Sequence, residues 1–177
     1  MQKKPLSIIH VRAKPGSKTL GILTAGPVLR LPVALGRSGI AANKREGDGA
    51  TPRGTFRPVR LWWRADRMPR PVTYLPVRRI GPADAWSEDP RDRRYNRPFR
   101  RIDGQAGDRL RRDDNLYDLI VEIDHNTRPR VRGRGSAVFV HVARPGFRPT
   151  AGCVALKTST LIQLLARLSP ATRIDIH

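Results

Sequence analysis

The sequence predicts a mostly β domain with one C-terminal helix, and three observations carry that expectation. Several short runs alternate apolar with polar residues, Gly and Pro punctuate those runs, and a leucine repeat of helical period occurs once, late in the chain. At 177 residues the chain suffices for one domain with a sizeable core and is short for two, so 1–177 is read as a single domain. No internal repeat is visible.

Val28 to Leu35 places Leu29, Leu31, Val33 and Leu35 at alternate positions, as a half-buried strand does. The following NKREGDGATPRGTF carries Gly47, Gly49, Pro52 and Gly54, which is turn chemistry, and leads into a strand at about Phe56 to Trp63. A long arginine-rich stretch then runs from about Arg64 to Asp114. Loops of that length are functional or disordered, and Tyr74, Trp86, Tyr95 and Phe99 favour an ordered, functional one. In NLYDLIVEIDHN, Tyr117, Leu119, Val121 and Ile123 alternate with Asp118, Glu122 and Asp124. In GSAVFVHVA, Val138, Val140 and Val142 point one way, while Ala137, Phe139, His141 and Ala143 point the other. The helix follows: Thr158 or Ser159 is expected to cap it, and Leu161, Leu164, Leu165 and Leu168 form its apolar stripe. A last short strand spans Arg173 to Ile176.

Composition narrows the function classes. Lys and Arg number 35 against 15 Asp and Glu, a net charge of +20 spread along the chain. Such a field attracts polyanions, with nucleic acid and an anionic cell-wall polymer both candidates. One cysteine excludes an intramolecular disulfide. The apolar run Leu6 to Ile9 is too short for a signal peptide, and no run approaches a membrane span, a pattern that by itself reads as cytoplasmic.

The densest chemical signal is HVARPGFRPTAGCVAL, from His141 to Leu156. A histidine ends a strand, a Pro/Gly loop turns back, and Cys153 follows Gly152. Nucleophilic catalysis needs a thiolate and a nearby base. Gly152 permits close approach of backbone to substrate, and the amides near Cys153 suit an oxyanion hole. On base rates a lone cysteine is a small buried hydrophobe and a lone strand histidine a packed residue, and twelve positions of separation do not prove contact.

That segment resembles the active-site segment of the L,D-transpeptidase catalytic domain, the YkuD-type domain, and within it a subgroup reading FxHVAR and PTxGCVAL. KREGDGATPRGTF resembles the hairpin before the family's core. WSEDPRDRRYNR resembles a WxxDPxxxxYNR loop, and RRDDNLYDLIVEIDHN resembles an LYDxxVxxxxN strand. The blocks span about residues 43 to 156 in the family's order.

The resemblance implies a YkuD-type β-sandwich with long active-site loops, Cys153 as nucleophile, His141 as base, and Gly152 with Cys153 as amide donors. The implied reaction is thiolate attack on an L-centre carbonyl of a peptidoglycan stem peptide, giving a thioester that a second stem resolves as a 3-3 or 1-3 cross-link. Water as acceptor makes the same dyad a carboxypeptidase or endopeptidase. Stem peptides are the implied partners, the periplasm or cell wall the implied location, and no cofactor or metal is implied. Trp86, Tyr95, Asn96 and Arg97 are candidates for a substrate-facing loop, the alternative being that Trp86 and Tyr95 only pin the loop. Arg144, Arg148 and Thr150 are further candidates around the nucleophile.

Two departures stand out. Many members read a histidine before the Gly-Cys pair and an arginine or asparagine two residues after the cysteine; here Ala151 and Ala155 occupy those positions.

Other features point elsewhere. Asp84, Glu88, Asp89 and Asp92 are read as solvated ion pairs with neighbouring arginines rather than as a metal site. His125 is read as structural or exposed, while His10 and His177 have no evident partner. GDGATPRG lacks the GK[ST] of a phosphate loop. The rival reading, a basic nucleic-acid-binding protein with an inert cysteine, lacks any zinc-finger, RNP-type or basic-helix signature. A nucleophile paired with histidine is expected to show a depressed thiol pKa and to react with electrophiles near neutral pH, whereas a buried core cysteine is not.

Overall fold

The computed structural model of the chain describes residues 4–177, so the basic N-terminus is seen only from Lys4 onward. Fifteen strands and one α-helix follow one another: β1 (Ile8–Ala13), β2 (Leu20–Ala25), β3 (Leu29–Ala34), β4 (Ile40–Ala41), β5 (Thr51–Pro52), β6 (Gly54–Phe56) and β7 (Pro58–Trp63). Then come β8 (Val77–Arg79), β9 (Asp84–Trp86), β10 (Pro98–Arg100), β11 (Asp108–Arg109), β12 (Leu119–Ile123), β13 (Phe139–Val142), β14 (Val154–Leu156), α1 (Thr158–Leu165) and β15 (Arg173–Ile176).

Ten strands form one sheet in the order β6-β15-β1-β2-β3-β14-β13-β12-β7-β8. Its pairings are antiparallel except β1 with β15, β13 with β14, and β7 with β8. Residues from both ends of that order, Ile9, Val11 and Ile174 on one side and Leu61, Leu119 and Val121 on the other, share one apolar cluster with Leu161, Leu164 and Leu165 of α1. A continuous sheet brings such distant strands together only by curling over its core, which gives the expected sandwich in closed-over form.

The alternation expected of β13 is what the structure places: Val138, Val140 and Val142 enter the main core. Ala137 and Phe139 enter a second cluster, with Trp62, Trp86, Ile120 and Cys153, on the opposite face. β3 behaves likewise, burying Leu31 and Val33 while Arg30 and Pro32 stay exposed. In β12 the expectation holds for Leu119, Val121 and Ile123. Tyr117, however, lies before the strand and joins the second cluster. Both faces of β12 are covered, so every residue in it is buried.

The expected helix cap is corrected. Thr158 is already the first helical residue, Lys157 precedes it, and no side chain caps the end; Thr160 Oγ1 instead donates to Lys157 O at 2.9 Å. The arginine-rich stretch is ordered, as its aromatics suggest, but through short strands the sequence does not advertise. β8 extends the main sheet, and β9 to β11 form a separate sheet in the order β10-β9-β11. No described helix is long and apolar enough to cross a membrane.

The two faces of α1 test this packing. Leu161→Ala removes a fully buried side chain and is expected to lower stability by about 2–5 kcal/mol, mostly a cavity cost. Ile162→Ala, at 41% exposure, is expected to change it by about 0.5 kcal/mol or less. Urea unfolding midpoints measure both, and similar losses would contradict the assignment of the buried face.

Candidate active site

Parallel pairing of β13 with β14 sets the site. Val140, His141 and Val142 lie beside Val154, Ala155 and Leu156. Side chains two apart in a strand share a face, so Cys153 projects on the same side as Ala155 and therefore as its partner His141. Both residues line one cleft of about 820 Å³.

The connection between the strands is held from several directions. After Arg144 a short 3-10 turn, Pro145–Phe147, reverses the chain, with Gly146 at φ 73° and Phe147 at φ 53°. Thr150 N–H donates to Leu35 O at 2.9 Å, and Arg37 N–H donates back to Thr150 O at 2.9 Å, anchoring the loop beside the end of β3. Thr150 Oγ1 donates to Cys153 O at 2.6 Å and accepts Gly152 N–H at 3.1 Å. Gly152 sits at φ 144°, and a Cβ there would meet Ala50 O at 2.8 Å. The close packing of two backbones therefore requires glycine immediately before the nucleophile candidate.

Electrostatics give an unexpected resting state. Cys153 Sγ donates to Ala137 O at 3.2 Å and accepts Phe139 N–H at 3.3 Å, a pattern that needs the proton on sulfur. Burial pushes the thiol up to about 12, with the Asp108 and Glu88 carboxylates adding to the rise. His141 Nδ1 lies 2.8 Å from Val142 O; a carbonyl only accepts, so Nδ1 carries the hydrogen and Nε2 is the basic nitrogen. Burial pulls the imidazole down to about 4, with Arg112 and Arg144 contributing. The expectation of a depressed thiol pKa is thus corrected. Desolvation is the largest cause at both groups, and no hydrogen bond joins the two side chains among the described residues, so both rest neutral.

The cleft carries both signs of charge. Arg37, Arg112, Arg144 and Arg148 line it, and so do Glu46, Glu88 and Asp108. Glu46 accepts from Tyr95 Oη and Ser136 Oγ, and Asp108 accepts from Tyr117 Oη at 2.7 Å. Lys44, also in the wall, is buried and paired with Asp48. Glu88 reaches solvent at the cleft edge, yet partial desolvation, Asp108 and Glu46 push its carboxyl up to about 7.

Glu88 and Asp108 are cleft residues the sequence reading missed. Solvated pairing does describe Asp89 with Arg91 (3.0 Å) and Asp92 with Arg94 (2.8 Å). Glu88 has Pro90, not an arginine, two residues on, and that was the available signal. Asp84 differs again: it is buried, bonded to Gly81 N–H at 2.8 Å and to Arg78 at 3.2 Å.

Of the candidates for a substrate-facing loop, the structure places none of Trp86, Tyr95, Asn96 and Arg97 in the cleft lining, and Trp86 and Tyr95 sit as the alternative of a pinned loop has them. Trp86 packs edge-on against Phe139 at 5.0 Å, and its Nε1 donates to Asn96 Oδ1 at 3.0 Å. Asn96, at φ 54°, also accepts Ala137 N–H and donates to His125 O and Asn126 O, so its amide is fully used inside the protein. Tyr95 is buried, and Arg97 is exposed away from the cleft lining. Together the buried three brace the wall behind Cys153. Arg144 and Thr150 do line the cleft, but the Thr150 hydroxyl is spent within the loop and shapes it.

Among the described residues no group of three His, Cys, Asp or Glu side chains is placed to hold a metal ion. His125 Nε2 is tied to Arg134 O at 3.1 Å. His10 and His177 find each other, stacking at 5.4 Å beside Asp175, far from this chemistry in the sheet order.

The model of the L,D-transpeptidase catalytic domain family (YkuD) matches residues 8–176. No curated protein compared with the chain matches it. Among solved structures, an L,D-transpeptidase from Mycobacterium smegmatis is similar at 15% identity and TM-score 0.45, covering 96% of this chain and 58% of that one. L,D-transpeptidase 3 from Mycobacterium tuberculosis is similar at 13% identity and TM-score 0.47, covering 96% of this chain and 60% of that one. The chain thus spans about three-fifths of the length of these two structures.

The neutral pair has a measurable consequence. With the thiol pKa raised to about 12, the thiolate fraction of the free protein grows roughly tenfold per pH unit across the neutral range. Alkylation of Cys153 by iodoacetamide, followed by intact mass between pH 6 and 10, is expected to rise throughout. A plateau above pH 7 would instead reveal a thiolate–imidazolium pair.

Proposed function

Because the chain belongs to the L,D-transpeptidase catalytic domain family, we propose that it is a peptidoglycan L,D-transpeptidase in which Cys153 is the nucleophile and His141 the base. The observation that carries this reading is the placement of both side chains on one face of the β13–β14 pair, opening into one cleft. Residues 8–176, the extent of the family match, then act as one catalytic domain.

His141 Nδ1 is committed to Val142 O, which leaves Nε2 to take the Cys153 proton when substrate enters. Bound substrate displaces water and brings an electrophile, so deprotonation accompanies attack rather than preceding it. Sulfur bonds to the carbonyl carbon of an L-centre in a stem peptide, and the oxyanion turns toward the Cys153 amide, because the Gly152 amide is already given to Thr150 Oγ1. The C–N bond to the following D-residue breaks, and the imidazolium returns the proton to the departing amine. The remaining thioester is attacked by an amine of a second stem, which gives a proton to His141 Nε2. The C–S bond then breaks, and the thiol is restored.

Arg144 and Arg148 stand in the cleft wall where a substrate carboxylate needs a counter-charge, compensating for Ala151 and Ala155 at positions that are polar in many relatives. A wall substrate places the enzyme's work in the periplasm or at the cell wall.

Wild type, Cys153→Ala and His141→Ala are compared by product mass spectrometry on tetrapeptide muropeptides. Cys153→Ala is expected to abolish the cross-linked dimer, and His141→Ala to lower turnover by about 10²–10⁴-fold, the range for a lost general base. Shortened monomers without dimers would assign a hydrolase with the same dyad. Near-wild-type turnover in His141→Ala would remove the histidine from the mechanism.

A further inference from the structure

The turn between β12 and β13 contains four arginines at alternate positions, Arg128, Arg130, Arg132 and Arg134. Most arginines of the 60–114 region are neutralised locally; Arg64 with Asp66, Arg67 with Asp118 and Arg112 with Asp114 are instances. Among the described residues, none of the four turn arginines has a carboxylate within ion-pairing distance. Arg130 senses one, Glu122, and that carboxylate is already bound by Trp62 Nε1 at 2.9 Å and Arg60 at 3.1 Å.

The turn is nevertheless held in a fixed shape. Asn126, at φ 51°, donates to Val131 O and Gly135 O, both at 2.9 Å, and accepts Val131 N–H at 2.8 Å. His125 Nε2 donates to Arg134 O, and Arg130 Nε donates to Asn96 O at 3.1 Å. Glu46 N–H donates to Gly133 O at 2.8 Å, which fastens the turn to a residue of the cleft wall. Arg97 stands close enough to Arg130 to lower its pKa, after burial, so a fifth positive charge borders the group. Six hydrogen bonds thus hold like charges close together, with no ion pair to a carboxylate among the described residues.

We propose that the 126–135 turn, with Arg97, is a docking surface for a phosphodiester polymer of the cell wall, seated beside the catalytic cleft. Exposed Arg128, Arg132 and Arg134 present planar donors matched to phosphate oxygens, and a fixed turn loses little entropy on engaging them. Anchoring the polymer here keeps the cleft near its substrate by effective concentration rather than by tighter binding at Cys153. The choice of a wall polymer over nucleic acid rests on the proposed transpeptidase function; the docking surface itself does not.

The test measures binding of a poly(glycerol phosphate) and of single-stranded DNA with equal phosphate number, across a salt series. Wild type is compared with Arg128→Gln/Arg132→Gln/Arg134→Gln and with a control of equal charge loss, Arg30→Gln/Arg70→Gln/Arg173→Gln, all exposed arginines elsewhere. At about 0.7–0.9 per neutralised phosphate, the turn variant is expected to flatten the slope of log K against log salt by about 2–3. The control is expected to leave it near wild type, and muropeptide turnover in the turn variant is expected to be unchanged. Equal flattening in both variants would show a diffuse field and overturn the proposal. Turn-dependent binding of DNA in preference to poly(glycerol phosphate) would overturn it in favour of nucleic acid. Turn-dependent polymer binding by a protein without turnover would sink the catalytic reading alone, leaving the surface.

Discussion

Parallel pairing of β13 with β14 constrains more of this molecule than any other contact, because parallel neighbours need a connection that leaves the sheet and returns in the same direction. Most such connections use a helix. Here the link is short, from Ala143 to Cys153, and it is a loop fastened at Thr150 to Leu35 and Arg37. That fastening demands close backbone contact at Gly152 and Ala50, and it delivers Cys153 to the face that His141 already occupies. The loop of residues 44–50 is then fixed in turn, since Ala50 O lies where any side chain at position 152 would be.

The same arrangement explains why the dyad rests neutral. Behind Cys153 stands a wall of aromatic rings: Trp86 packs on Phe139, Phe139 on Tyr117, and Tyr117 on His141 at 5.4 Å. A wall of that kind orients the imidazole, but it also strips water from both reacting groups, and desolvation disfavours each charged form. Carboxylates at Glu88 and Asp108 deepen the effect on the thiol, while Arg112 and Arg144 deepen it on the imidazole. On the proposed mechanism, a site built this way waits for bound substrate to activate its sulfur.

Much of this was legible in the sequence where one strand sufficed to show it. The alternation of Val138, Val140 and Val142 with Phe139 and His141 assigned both faces of β13, and Leu161, Leu164 and Leu165 of the leucine stripe assigned the buried face of α1, with Leu168 entering the same core just past its end. The meeting of Cys153 with His141 was not legible from spacing, because it depends on parallel register across twelve residues. Resemblance to a family supplied what local pattern lacked. Between β7 and β12 the strands are two or three residues long and rich in Arg and Pro, too short for any periodicity to declare itself. For Trp86 and Tyr95 the sequence left two readings open there for a related reason. Large amphipathic side chains in a long loop suit a ligand and a brace equally well, and only burial separates the two roles.

Net charge misleads for the same reason that composition misleads: it carries no address. The +20 excess divides into arginines that serve the fold and arginines that do not. Arg78 lies over Trp62 and bonds to Asp84, Arg94 covers Phe99 and bonds to Asp92, and Arg112 covers Tyr117 and bonds to Asp114. These guanidinium groups act as flat hydrophobic lids with a charged rim, and their charge is largely spent on adjacent carboxylates. Aspartates two residues away make that possible, as in Asp89-Arg91, Asp92-Arg94 and Arg112-Asp114. The 126–135 turn has no such spacing, since Asp124 lies before it and gives its carboxylate to Arg57 N–H. Its arginines therefore keep their charge for a ligand, as the proposed docking surface requires, and Glu46 N–H ties that turn to the cleft wall.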